Sequence, residues 1–77
     1  MATLTAALNA EFTPAVGDFN AQTSAGRSIL WRKQTAGAAF VEVGRMHNNA
    51  VIVSNPIAGA VYKFTAVDPA VAVQADQ

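Results

Sequence analysis

The 77-residue chain has no cysteine and a single histidine, tryptophan and tyrosine, and only 13% of its residues are charged. Each scarcity removes a class of function. Without cysteine there is no disulfide framework and no thiolate zinc site. One imidazole, His47, cannot build a histidine-rich metal site within one chain. His47 is also the only conventional general base, and the nearest hydroxyl in sequence is Ser54. No G-x-S-x-G elbow joins them, so the nucleophile-and-base pair that covalent catalysis needs is not signalled. The glycine patterns that cradle phosphates are missing too. The flanking acids Glu11, Asp18, Asp68 and Asp76 sit beside turns instead of gathering in one loop as calcium requires. His47-Asn48-Asn49 reads more simply as a polar turn than as a metal site on a symmetry axis. These readings predict a protein that is not an enzyme and takes no cofactor and no metal.

Long apolar runs are also missing. The longest charge-free run, Met46 to Tyr62, is broken by His47, Asn48, Asn49, Asn55 and Pro56, short of the roughly 20 apolar residues of a membrane-spanning helix. The N-terminus lacks a basic segment and soon reaches Glu11, so no secretory signal is expected. The expectation is no membrane association and synthesis in a bacterial cytoplasm. There is no basic excess either. Five Lys and Arg balance five Asp and Glu, whereas nucleic-acid-binding domains are usually strongly basic with interleaved aromatics. No nucleic-acid partner is expected.

What is present is apolar and small. Apolar residues make up 52% of the chain, many of them alanine and valine. The length predicts one β domain over residues 1–77, with extended N- and C-terminal segments. A chain of this size buries only about 60% of its unfolded surface and usually needs a disulfide, a metal or a partner subunit. With the first two excluded, a partner remains, and low charge with zero net charge favours association. The charges are segregated. Arg27, Arg32, Lys33, Arg45 and Lys63 fall mid-chain with Glu42, and the other four acids lie in the flanks. A compact fold could turn this into a dipolar surface or simply into solvated strand faces.

Turn signals recur about every ten residues, a spacing that predicts an all-β sandwich or barrel. Strands are expected at Thr3–Leu8, Asp18–Ser24, Ser28–Lys33, Ala39–Val43, Ala50–Ser54, Ala60–Val67 and Val71–Gln74. Leu4, Ala6 and Leu8 share a face in the first, and Phe19, Ala21 and Thr23 in the second, whose other face is polar. The third carries large side chains on both faces, Ile29 and Trp31 against Leu30 and Arg32, and so is expected to be central, with Trp31 in the core. It should form a hairpin with the fourth, which Gly44 ends. The fifth, AVIVS, reads as buried on both faces. In the sixth, Tyr62, Phe64 and Ala66 form the core face, and the Tyr62 hydroxyl is expected to bond a backbone group. The predicted fold is a small antiparallel sandwich or partly open barrel of about seven short strands, immunoglobulin-like. AVYKFTAV resembles a strand of fibronectin type III-like domains.

Contact candidates follow from these faces. Arg32 lies opposite Trp31, and arginine is enriched at interfaces. Lys63 points away from the Tyr62–Phe64 face. The apolar chain ends, with Leu4, Leu8, Val71 and Val73, either pair with each other or add as strands to a neighbour.

The segments FTPAVGDF, GAAFVEVG and NPIAGAVYKF in a small, cysteine-free, alanine- and valine-rich β protein are similar to short virion structural proteins of tailed bacteriophages. The resemblance implies a capsid decoration, or cement, protein, located on the virion surface. Its partner would be the major capsid protein or another virion protein, and it would form a homo-oligomer at local symmetry axes. Another virion β module, in a tail, connector or fibre, and a carbohydrate- or cell-surface-binding immunoglobulin-like module are the alternatives.

Overall fold

A computed structural model describes residues 2–77; Met1, the first residue of the apolar N-terminal end, lies outside the described residues. Seven strands follow one another: β1 Thr3–Thr5, β2 Gly17–Ser24, β3 Arg27–Lys33, β4 Val41–His47, β5 Ala50–Asn55, β6 Val61–Ala66 and β7 Ala72–Asp76. They form two antiparallel sheets, β1-β7-β2-β5 and β4-β3-β6. The fold is a small β-sandwich and not a closed barrel. With strands lettered in chain order, an immunoglobulin constant domain sets A-B-E-D against C-F-G. The present sheets keep the β2–β5 and β3–β6 pairs of that plan. They differ in that β4 joins β3 and that β7 lies between β1 and β2, well away from β6.

Alternation decides which side chains fill the space between the sheets. Phe19, Ala21 and Thr23 of β2 are buried, with Asp18, Gln22 and Ser24 exposed on the other face. Tyr62 and Phe64 of β6, Leu30 of β3, Met46 of β4 and Val73 and Ala75 of β7 complete the core with Phe12 and Ala60. Phe12 belongs to no strand, but its backbone N–H and carbonyl both bond those of Tyr62. Its ring stacks on Tyr62 and Phe64 with centroids 5.8 Å from each and meets Phe19 edge-on at 5.9 Å. Each buried aromatic or leucine contributes about 1.5–3 kcal/mol relative to exposure.

Where β2 passes to β3 and β4 to β5, two residues suffice to cross between sheets. These links, Ala25-Gly26 and Asn48-Asn49, are bonded to each other. Gly26 N–H donates to Asn48 Oδ1 at 2.8 Å, Asn48 N–H to the Gly26 carbonyl at 3.2 Å and Thr23 N–H to the Asn49 carbonyl at 2.9 Å. Asp68 closes the same corner. Its carboxylate accepts from the Arg27 backbone N–H at 2.8 Å and from the Arg27 guanidinium at 2.9 and 3.1 Å. Gly26 has φ +136°, and a Cβ there would stand 2.8 Å from Asp68. Glycine at this position is thus set by both conformation and space.

Several strand readings change. Trp31 is half-buried on the outer face, and Leu30, 2% exposed, takes the core position, because Leu30 pairs with Phe64 and Trp31 with Lys63. The fourth strand runs on through Gly44 to His47, which Met46 anchors by burying its side chain opposite Ser28. The expected start of that strand, Ala39-Phe40, stays outside the ladder. The fifth strand is a sheet edge instead of a strand buried on both faces. The first ends at Thr5, and the chain turns at Asn9 with φ 63°.

Candidate interaction surface

Four strands have an open side, and three are guarded in ways that discourage pairing with another chain. β1 has three residues, and its ladder to β7 shifts register between Thr3 and Thr5. The free side of β6 is covered by the 9–12 segment through the Asn9-to-Phe64 bond and the Phe12–Tyr62 bridge. β4 carries a bulge, since Leu30 pairs with Gly44 and Trp31 with Glu42, leaving Val43 as the extra residue. It also carries Glu42 and Arg45, paired at 3.1 Å. β5 has none of these devices. It is six residues long, free of charge and proline, and its ladder to β2 runs without a break from Asn55 to Ala50.

The side of the sandwich formed by β4 and β5 also carries four of the six exposed large apolar side chains among the described residues, the others being Val16 and Val67. Ile52 is 71% exposed and Val41 63%, with Val43 and Val51 also open to solvent. Val51 and Val53 pair with Ala21 and Phe19 and so point inward, while Ile52 pairs with Asn20 and points outward. Between the two edges lies a groove of about 340 Å³ lined by Leu30, Val43, Met46, Val51 and Val53 among others. Val53 packs against the core from this groove, while Val43, Val51 and Ile52 keep a large part of their surface in solvent.

The outer face of the three-stranded sheet is different in character. All five cations lie on its strands, whereas the four-stranded sheet carries Asp18 and Asp76. The segregation of charge along the sequence therefore becomes a polarity between the two sheets. Arg27 is held by Asp68, Arg45 by Glu42, and Lys33 approaches Glu11 at 3.8 Å. Phe40 lies under both Lys33 and Lys63, whose ammonium groups are 4.8 and 4.3 Å from its ring centroid. Trp31 Nε1–H donates to Thr65 Oγ1 at 2.7 Å.

The residues expected to make contacts are distributed unevenly. Lys63 faces outward as read, and Arg32 is half-buried at the far end of β3. Leu4 and Leu8 pack against the core, and Val71 and Val73 are 7% and 5% exposed. The chain ends pair with each other, Thr3 with Asp76 and Ala2 with Gln77, so of the two readings of the ends it is internal pairing that the fold adopts. Their alternating small and apolar residues fit an internal edge as well as an external one.

Asn55, one of the polar residues that break the charge-free run, is a buried hub, 1% exposed. Tyr62 donates its hydroxyl proton to Asn55 Oδ1 at 3.1 Å, and Asn55 Nδ2 donates to the Pro14 and Ala15 carbonyls at 3.2 and 3.1 Å. The tyrosine therefore reaches the backbone through Asn55 and not directly. Among the described residues no group of three or more His, Cys, Asp or Glu side chains is placed to hold a metal. Comparison with known families, curated proteins and solved structures finds no match to this chain.

Proposed function

We propose that the chain is a non-enzymatic assembly subunit that decorates or cements the outer capsid lattice of a tailed bacteriophage, docking through its β4–β5 side. The observation that carries this reading is the exposure of Val41, Val43, Val51 and Ile52 along one side of the sandwich. Val43, Val51 and Ile52 line one groove, with Val41 further along the same edge strand as Val43, and apolar surface grouped in this way marks an interaction site. Low charge and zero net charge support association further. A decoration subunit needs no chemistry of its own, because binding to a repeating lattice stabilises both partners by mass action. On this reading the protein is made in the host cytoplasm and resides on the virion surface, with the major capsid protein as partner.

The test is co-sedimentation of the purified chain with capsids of the phage that encodes it. The wild type should saturate a fixed number of lattice sites, and Val41→Asp should abolish binding while leaving the circular dichroism spectrum unchanged. Failure of the wild type to bind, or binding unaffected by Val41→Asp, contradicts the proposal. A second reading, a carbohydrate- or cell-surface-binding module, is favoured by one observation, the placement of Trp31 and Phe40 on the outer face. Saccharide-induced change in Trp31 fluorescence would support it.

A further inference from the structure

We infer that β5 is the edge through which two copies of this chain pair, antiparallel about a twofold axis at Ile52, joining their four-stranded sheets into one continuous sheet. The inference rests on the reading of the β4–β5 side as the docking surface and names the occupant of its β5 half.

The direction of the backbone groups comes from the β2–β5 ladder. Thr23 N–H bonds the Asn49 carbonyl one step beyond the Gln22–Ala50 pair. Hydrogen-bonded pairs alternate along an antiparallel ladder. Val51, Val53 and Asn55 therefore exchange their bonds with β2, and the N–H and C=O groups of Ala50, Ile52 and Ser54 point to the open edge. A second copy fits this pattern by parity. An antiparallel twofold at Ile52 sets Ile52 against its own copy and Ala50 against Ser54, so every outward-pointing group on the strand meets one on the partner, in about six backbone hydrogen bonds. A twofold midway between Ile52 and Val53 would set outward groups against inward ones.

The side chains agree with the same axis. Opposed residues of an antiparallel pair lie on one face. Ile52 then meets Ile52 on the outer face, and Val51 meets Val53 on the inner face, where the two inter-sheet grooves become continuous. Apolar meets apolar at each of these contacts, and no charge falls on the strand. The net charge of zero adds no repulsion between copies. Charged or proline-bearing partner strands would match this edge less well than the strand matches itself. Pairing through β5 leaves the exposed Val41 of β4 for the lattice.

A strand edge alone is smaller than the roughly 800 Å² per partner of a standard interface, so association is expected at about tens of micromolar. Sedimentation equilibrium of the full chain should show a reversible dimer in that range. Ile52→Lys should shift the association constant at least about tenfold toward monomer, as inward-facing or edge lysines do in guarded strands. Ile52→Pro should do the same and still fold, because the N–H it removes faces the open edge. If Ile52→Pro fails to fold, Ile52→Lys decides.

The register is tested by cysteines placed in a chain that has none of its own. Ile52→Cys should oxidise to a covalent dimer, since opposed Cα atoms lie about 5.5 Å apart, within disulfide range. Ser54→Cys should not, because two copies of residue 54 would be about 13 Å apart. A wild type that stays monomeric up to about 1 mM, a dimer that survives Ile52→Lys, or cross-linking through Ser54→Cys in preference to Ile52→Cys overturns the inference. Capsid co-sedimentation of the wild type and of Ile52→Lys separates the two proposals. A monomer that still binds capsids defeats the twofold alone, and a dimer that binds none defeats the decoration reading alone.

Discussion

At the scale of single residues, the most consequential side chain is one that its neighbours in sequence disguise. Asn55 stands before Pro56, a turn signal, and its burial comes only from the fold bringing Pro14, Ala15 and Tyr62 around it. Its amide satisfies two carbonyls and its oxygen accepts the tyrosine proton. Tyr62→Phe removes one neutral hydrogen bond and should cost about 1 kcal/mol. Asn55→Ala strands two carbonyls and a hydroxyl and should cost about 2–3 kcal/mol more. Urea unfolding of the two single variants and the double variant should show less than additive losses, as partners in one network do. Asp68 supplies a second residue-level prediction. Hydrogen bonds from Arg27, side chain first and backbone second, lower its pKa to about 2, against about 3.9 in an unfolded chain. A carboxylate depressed in the folded state stabilises above the unfolded value and loses that contribution as pH falls through the folded one. The stability difference between wild type and Asp68→Asn should be constant above about pH 5 and shrink between about pH 4 and pH 2. A difference that did not change across this window would show that the Arg27 contact adds nothing.

At the scale of elements, alternation sets both the core and the error in reading it. Leu30→Ala should cost about 2–5 kcal/mol, the range for a buried leucine. Trp31, larger but on the outer face, should cost less when replaced by threonine and should be quenched readily by acrylamide in the wild type. Gly26→Ala forces a Cβ against Asp68 in a backbone conformation that L-residues avoid and should cost about 1–3 kcal/mol, measured by thermal unfolding. The sequence made β2 and β6 legible because each has one apolar and one polar face. It left β3 ambiguous because Ile29 and Trp31 are as apolar as Leu30, and only the cross-strand partners Phe64 and Lys63 settle which set faces inward. It misplaced β5 because a run of β-branched residues reads alike for a buried strand and for an apolar edge. The bulge at Val43 hid the continuation of β4, since one extra residue reverses the face of everything beyond it.

At the scale of the whole molecule, the composition and the topology point the same way. A chain with few charges and no cross-links folds around a modest aromatic core and keeps an unguarded edge. The apolar ends, which composition marks as partner-seeking, are consumed by pairing with each other, and it is β4 and β5 that keep exposed valine and isoleucine. The segregation of cations and acids was readable in the sequence as an asymmetry. Its conversion into a polarity between sheets required knowing that β3, β4 and β6 lie together. This polarity predicts that lattice binding will weaken with salt if the docked face includes the cationic sheet, and will tolerate salt if it is confined to the β4–β5 side. Co-sedimentation in 50 mM and 500 mM salt, about 10 Å apart in Debye length, should therefore give nearly equal binding.

β5 keeps a free backbone edge, to which Ala50, Ile52 and Ser54 present their N–H and C=O groups. Residue-resolved amide exchange, followed by NMR at dilution and at high concentration, tests it most directly. In dilute protein the amides of Val51 and Val53 should be protected, and those of Ile52 and Ser54 should exchange rapidly. At high concentration, where two copies pair, Ile52 and Ser54 should become protected while Val51 and Val53 change little. Protection of Ile52 in the dilute monomer, or rapid exchange at Ile52 in every associated state, would contradict the account.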